Sequence, residues 1–130
     1  LGMITLNALS AADEVIVPMP CEFFALDGLA ELMETIRRIQ RGTNPQLHLG
    51  GILLTMAEER TNLGHAVAEE VRQAFPGKVF QTHIPRNIRL AEAPSHGKPV
   101  AFYDLRSKGA QAYLSLAQEW LGLEPEMQKV

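Results

Sequence analysis

Three short runs of aliphatic and β-branched residues punctuate this chain: Glu14-Val15-Ile16-Val17-Pro18-Met19, Leu49-Gly50-Gly51-Ile52-Leu53-Leu54-Thr55-Met56 and Val79-Phe80-Gln81-Thr82-His83-Ile84. The first two are apolar without alternation, the pattern of strands buried on both faces in a parallel sheet. The stretches between them carry the helical period. Leu29, Leu32, Met33, Ile36 and Ile39 or Gln40 form one stripe, with Asp27 as the expected N-cap and Gly42 as the stop. Leu63, Val67, Val71, Ala74 and Phe75 share a second face, which Asn62 would cap and Pro76-Gly77 would end. Ser107 can cap a last helix whose apolar positions are Ala110, Tyr113, Leu114, Ala117 and Leu121. The pattern predicts strands near 14–19, 50–56 and 79–84 and helices near 28–41, 62–75 and 107–120. This is a βαβαβ unit with right-handed crossovers, preceded by a helix end at Leu1–Ala12 and followed by a weakly patterned tail, 122–130.

The stretch from Ile84 to Pro99 resists the pattern. Its prolines at 85, 94 and 99 and Gly97 forbid one regular helix, because each proline lacks a backbone donor and restricts the residue before it. It carries Arg86, Arg89, His96 and Lys98 against Glu92 alone, with apolar anchors at Ile88 and Leu90. Loops that follow strands in α/β folds are where ligands bind, so this segment is expected to be a working surface.

A chain of 130 residues has room for one core, and 46% apolar with 21% charged residues is ordinary for a globular domain. The formal net charge of −3 gives no general pull towards nucleic acid or anionic membrane, so any basic site must be local. Cys21 stands alone, which excludes a disulfide framework and makes a reducing compartment the default. No apolar run reaches the roughly eighteen residues that a membrane-spanning helix needs.

The chemistry that can be read directly is limited. There is no phosphate loop of the G-x-x-x-x-G-K-[ST] type, and Gly50-Gly51 precedes a strand where such a loop would follow one. His48, His65, His83 and His96 have no spacing that sets two on one helix face, and Ser95-His96 is poor geometry for a nucleophile and its base. Cys21 reads as a small packing group. Arg37, Arg38 and Arg41 read as a solvated helix end that complements the helix dipole. Arg60 after the second strand, and Arg86 and Arg89 after the third, are placed to meet phosphate or to be ordinary exposed charges; spacing alone leaves both open.

Several ungapped motifs then narrow the field. Pro18-Met19-Pro20-Cys21-Glu22-Phe23-Phe24-Ala25-Leu26-Asp27-Gly28-Leu29, Gly51-Ile52-Leu53-Leu54-Thr55-Met56, Arg60-Thr61-Asn62-Leu63-Gly64 and the whole of Ile84–Pro99 closely resemble the ParA/Soj family of chromosome and plasmid partitioning ATPases. The likeness runs in order from Leu1 to about Trp120. Leu1-Gly2 itself resembles the end of the family's Asp-Cys-Pro-Pro-Ser-Leu-Gly segment.

The resemblance implies a specific layout. The family's deviant Walker A loop and its switch I and Walker B aspartates have no counterpart here. The chain therefore resembles the C-terminal half of such a protein, residues 1–121, with 122–130 as a tail, and the start at Leu1 speaks against a natural stand-alone product. The fold implied is half of a doubly wound, mainly parallel sheet of the P-loop NTPase type. Hydrolysis by this chain alone is not expected, since ATP and Mg²⁺ belong to the intact protein. The family's adenine-holding loops match Thr55-Met56 and Pro85-Arg86-Asn87, and its DNA-contacting arginines match Arg60 and Arg89. The implied partners are a second copy, non-specific duplex DNA and a ParB-type protein. The implied location is the cytoplasm, on the nucleoid, with no membrane. Two alternatives stay open: a MinD-like membrane ATPase, against which the acids and proline of Leu121–Met127 speak, and a non-enzymatic DNA- or protein-binding module.

Overall fold

The computed structural model describes residues 2–22, 25–58 and 60–122. Its centre is a parallel pair, β1 (Glu14–Pro20) beside β2 (His48–Thr55), joined by the helix α2 (Ala25–Arg41). The pairing slips by one residue between Val15 and Ile16, where Gly50 is the extra residue on β2. A short helix, α1 (Met3–Ala11), precedes β1, and Asn44 holds its end: the side-chain amide donates to Leu9 O at 3.0 Å and Ala12 O at 2.7 Å.

β2 is the best buried element, and its alternation assigns the layers. Ile52 and Leu54 face α2 and the next helix, α3 (Asn62–Ala74), in a core with Val17, Met19, Leu29, Val67 and Val71. Leu53 faces the opposite way, onto Phe80 and Ile84, with Leu90, Ala112 and Leu116 packed around them. That second core lies under α6 (Lys108–Trp120). A third cluster of Leu9, Ile36, Ile39 and Leu47 seats α1 on α2.

The third expected strand, 79–84, is broken. It lies parallel to β2, but among the described residues it bridges only at Ile52–Val79 and Ala57–Pro85, so four residues between the bridges on one side face five on the other. Backbone bonds hold both ends: Phe80 N donates to Ile52 O, and Ile84 N donates to Leu54 O. In the middle, Gln81 N and Thr82 N turn away and donate to the two carboxylate oxygens of Glu119, at 2.7 and 2.9 Å. One side chain of α6 thus replaces the missing ladder. Trp120 stacks on Phe80 beside it, with ring centroids 6.2 Å apart. Phe80 in turn fills the space where a side chain at Gly51 would be, so only glycine fits there. Glu119→Ala leaves two backbone donors without their charged acceptor. It should cost about 1–3 kcal/mol, read as a lower midpoint in denaturant, and should deprotect the Gln81 and Thr82 amides to hydrogen exchange.

Four further details depart from the sequence pattern. Asp27 lies inside the first turn of α2, not at its cap. The N-cap of α3 is Thr61, whose Oγ1 accepts from Gly64 N at 3.2 Å, and not Asn62. On that helix Val67 and Val71 are buried, but Leu63 and Ala74 are exposed. On α6 the buried face is Gly109 and Ala110, with Ala112 and Leu116 against the core, while Tyr113, Leu114 and Leu121 are exposed. Small residues let α6 approach closely, and a reading weighted by side-chain size rotates the face. The cap at Ser107 stands: its Oγ accepts from Ala110 N at 3.1 Å. Except for Gly122, the tail assigned to 122–130 lies outside the described residues.

Candidate functional site

Ile84–Pro99 is a chain of short turns. After Pro85, Asn87 caps a one-turn helix, α4 (Ile88–Glu92), by accepting from Arg89 N at 3.1 Å. A 3₁₀ turn over Ala93–His96 follows, closed by Gly97 in the left-handed region (φ 62°), and then α5 (Val100–Tyr103). The prolines sit where helices begin, at Pro94 near the start of the 3₁₀ turn and Pro99 at the cap of α5, where a missing donor costs nothing. Leu90 packs into the notch at Gly109, which locks α4 onto α6.

The C-terminal ends of β2 and of 79–85 come together at one edge. Ala57 N donates to Ile84 O at 3.0 Å and Arg86 N donates to Ala57 O at 3.2 Å, so Thr55, Met56, Pro85 and Arg86 form one rim. Met56, immediately after β2, has φ 51°, the left-handed region that a residue with a side chain occupies only under constraint. Its side chain is turned out to solvent, 47% exposed.

Beside this rim opens a cleft of about 630 Å³, lined by Glu58, Arg60, His83, Pro85, Arg86, Lys108 and Gln111 among others. Arg86 Nε meets Glu58 Oε1 at 2.9 Å, so that cation is already paired. Arg60 is exposed, and among the described residues no acid lies within ion-pair distance of it. Lys108, at the first turn of α6, adds a third positive charge that sequence spacing missed, because it arrives from a distant element.

Arg89 stands apart. It projects from α4, outside the residues that line the cleft, and it is not free of carboxylates as a bare DNA contact would be. Its Nη1 meets Glu92 Oε2 at 2.8 Å and its Nε meets Asp104 Oδ2 at 3.3 Å. The Tyr103 hydroxyl donates to the same Glu92 oxygen at 2.7 Å. That hydroxyl and the Arg89 guanidinium together hold the Glu92 carboxyl below its usual range, and the Glu92 hydrogen bond pushes Arg89 up. The (i, i+3) spacing of Arg89 and Glu92 was the available signal for half of this network.

The remaining candidates are structural. Arg37, Arg38 and Arg41 fan around Glu34 at the surface of α2. Cys21 is half-buried; desolvation raises its thiol pKa despite Arg72 nearby, so it stays protonated. Among the described residues no group of three acidic, His or Cys side chains could hold a metal, and no helix is long and apolar enough to cross a membrane.

Known proteins resemble this chain in sequence and in shape. A family described as an AAA domain matches residues 1–49. The chain is 55% identical over 119 residues to the sporulation initiation inhibitor protein Soj of Bacillus subtilis, a match covering 92% of this chain and 47% of that protein. It is 52% identical over 119 residues to the chromosome partitioning protein ParA of Myxococcus xanthus, covering 92% and 42%. Among solved structures, cobyrinic acid a,c-diamide synthase from Mycobacterium smegmatis, with bound ADP and magnesium, superposes with a TM-score of 0.69 at 34% identity, covering 92% of this chain and 43% of that one. The α/β arrangement with its parallel sheet is therefore of the P-loop NTPase type. The chain spans about half the length of the curated relatives it matches. By sequence it belongs to the ParA/Soj family of chromosome partitioning ATPases.

Proposed function

We propose that this chain is the C-terminal half of a ParA-type ATPase and supplies two things to the intact protein: the rim that grips the nucleotide base and a DNA-binding face. The observation that carries this reading is the single edge at which Met56, Pro85 and Arg86 meet, next to the basic cleft of Arg60 and Lys108.

The residues present fit a base better than a phosphate or a metal. An exposed Met56 fixed in an uncommon backbone conformation and the apolar ring of Pro85 suit the faces of a purine. Thr55 O already accepts from Cys21 N, Arg86 N already donates to Ala57 O, and the oxygen of the Asn87 side chain caps α4, which leaves the Arg86 carbonyl and the Asn87 side-chain NH₂ for its edge. Nothing in this chain resembles a triphosphate cradle, and no acidic cluster for Mg²⁺ occurs among the described residues. On this reading the phosphate and metal chemistry is supplied by the rest of the intact protein, and hydrolysis by this chain alone is not expected.

In the intact protein, ATP binding drives dimerisation, the dimer binds duplex DNA without sequence preference through Arg60 and Arg89, and a ParB-type partner stimulates hydrolysis and release. On this reading the protein acts in the cytoplasm, on the nucleoid. The experiment is photolabelling of the intact protein with 8-azido-ATP, followed by peptide mapping. Label is expected at Thr55–Met56 or Pro85–Asn87 and should be competed by ATP; label confined to other peptides sinks the base-rim assignment.

A further inference from the structure

Among the described residues, the two arginines assigned to DNA differ in their acidic neighbours. Arg60 has no acid within ion-pair distance among the described residues. Arg89 has two, presented by separate elements. Glu92 ends α4 and is steadied by the Tyr103 hydroxyl, while His96 lies over the Tyr103 ring with centroids 4.7 Å apart and its Nδ1 is 3.2 Å from Glu92 O. Asp104 follows α5; its N–H donates to Val100 O, and its carbonyl accepts from both Ser107 N at 3.1 Å and Ser107 Oγ at 2.8 Å. The second carboxylate is therefore held by the α5–α6 junction and does not wander as a free side chain.

The two acids occupy different nitrogens of the guanidinium: Glu92 takes Nη1 and Asp104 takes Nε. A bidentate phosphate needs two adjacent donors of that fork, so it competes with at least one acid. The cluster also carries one positive charge against two negative, which repels a polyanion. Both pairs are partly exposed to water, where such contacts are weak and exchange readily.

We propose that Glu92 and Asp104 form a built-in mask over Arg89, a regulatory contact that DNA phosphate must displace before this arginine can bind. The proposal rests on the reading of Arg89 as a DNA contact. The mask limits the affinity of the resting surface for DNA.

The test uses the intact ATPase with ATP and unrelated 30-base-pair duplexes, followed by fluorescence anisotropy across a salt series. Asp104→Asn and Glu92→Gln are each introduced into the natural protein and into Arg89→Ala. Glu92→Gln keeps an oxygen for the Tyr103 hydroxyl, and thermal melting with ATP-dependent dimerisation checks that each variant is folded. Each neutralisation should tighten DNA binding by roughly three- to tenfold near 0.1 M salt. The gain should shrink at high salt and disappear in the Arg89→Ala background. Unchanged or weaker binding in folded variants overturns the mask and makes the acids supports that orient the arginine. A gain that survives Arg89→Ala also overturns it, since the acids would then repel DNA directly. If Arg89→Ala alone leaves DNA affinity intact, the DNA assignment itself fails; a normal loss there, without any gain on neutralisation, removes the mask only.

Discussion

Arg60→Ala in the intact protein weakens binding to every duplex alike, by roughly tenfold near 0.1 M salt for each subunit whose arginine contacts DNA, and Arg89→Ala does the same to a smaller degree. The size follows from counterion release. Each phosphate contact adds about 0.9 to the slope of log affinity against log salt, which at 0.1 M is close to one decade. Arg60 should show nearly the whole of it, because among the described residues it has no acidic partner to surrender when it turns to phosphate. Arg89 must first leave Glu92 and Asp104, so its net contribution is smaller. ATP-dependent dimerisation, followed by light scattering, should survive both substitutions. Unchanged DNA affinity in both variants removes the site. Loss of dimerisation together with DNA binding would reassign the arginines to the subunit interface.

The second large effect concerns residues 1–130 as an isolated polypeptide, which should self-associate. β1 has no strand on its outer edge among the described residues, and Pro18 on its outward face is exposed. Cys21 N bonds to Thr55 O, so by alternation residues 17 and 19 also point their donors towards β2, and Pro18 and Pro20 face the outer edge. Two prolines there offer no donors, and such an edge resists extension by another strand. Association should therefore run through apolar faces: Met3 and Ile4 of α1, Phe102 of α5, and Tyr113 and Leu114 of α6 are all exposed. Sedimentation velocity should show concentration-dependent oligomers that lack the thioflavin response of stacked strands. A monodisperse monomer with one cooperative calorimetric transition contradicts the expectation.

The sequence made the parallel pair and its helices legible for a simple reason. β1 and β2 are buried on both faces, and continuous burial leaves a continuous apolar run. The third strand was legible only as a segment. Its polar middle, Gln81–His83, looks like a strand with exposed positions, and the acceptor that breaks it, Glu119, lies 38 residues away for Gln81. The buried face of α6 was hidden because Gly109 matters there through what it leaves out, the space that Leu90 occupies. At the candidate site, Arg60 and Arg86 could be placed at strand ends from their positions, but whether an arginine is paired depends on its neighbours in space. Glu58 is near Arg86 only because 57 and 85 bridge, and Asp104 is near Arg89 only because α5 folds back. Nucleotide chemistry was not readable from spacing at all; it entered through the resemblance.

The measurement that bears most directly on the whole account is retention of unrelated duplexes by the intact protein in the presence and absence of ATP, over a salt series. The account predicts that binding requires ATP, is equal for duplexes of different sequence, and falls steeply and linearly on the log–log salt plot. Binding that is indifferent to ATP, or that prefers one sequence strongly at all salt concentrations, would contradict it.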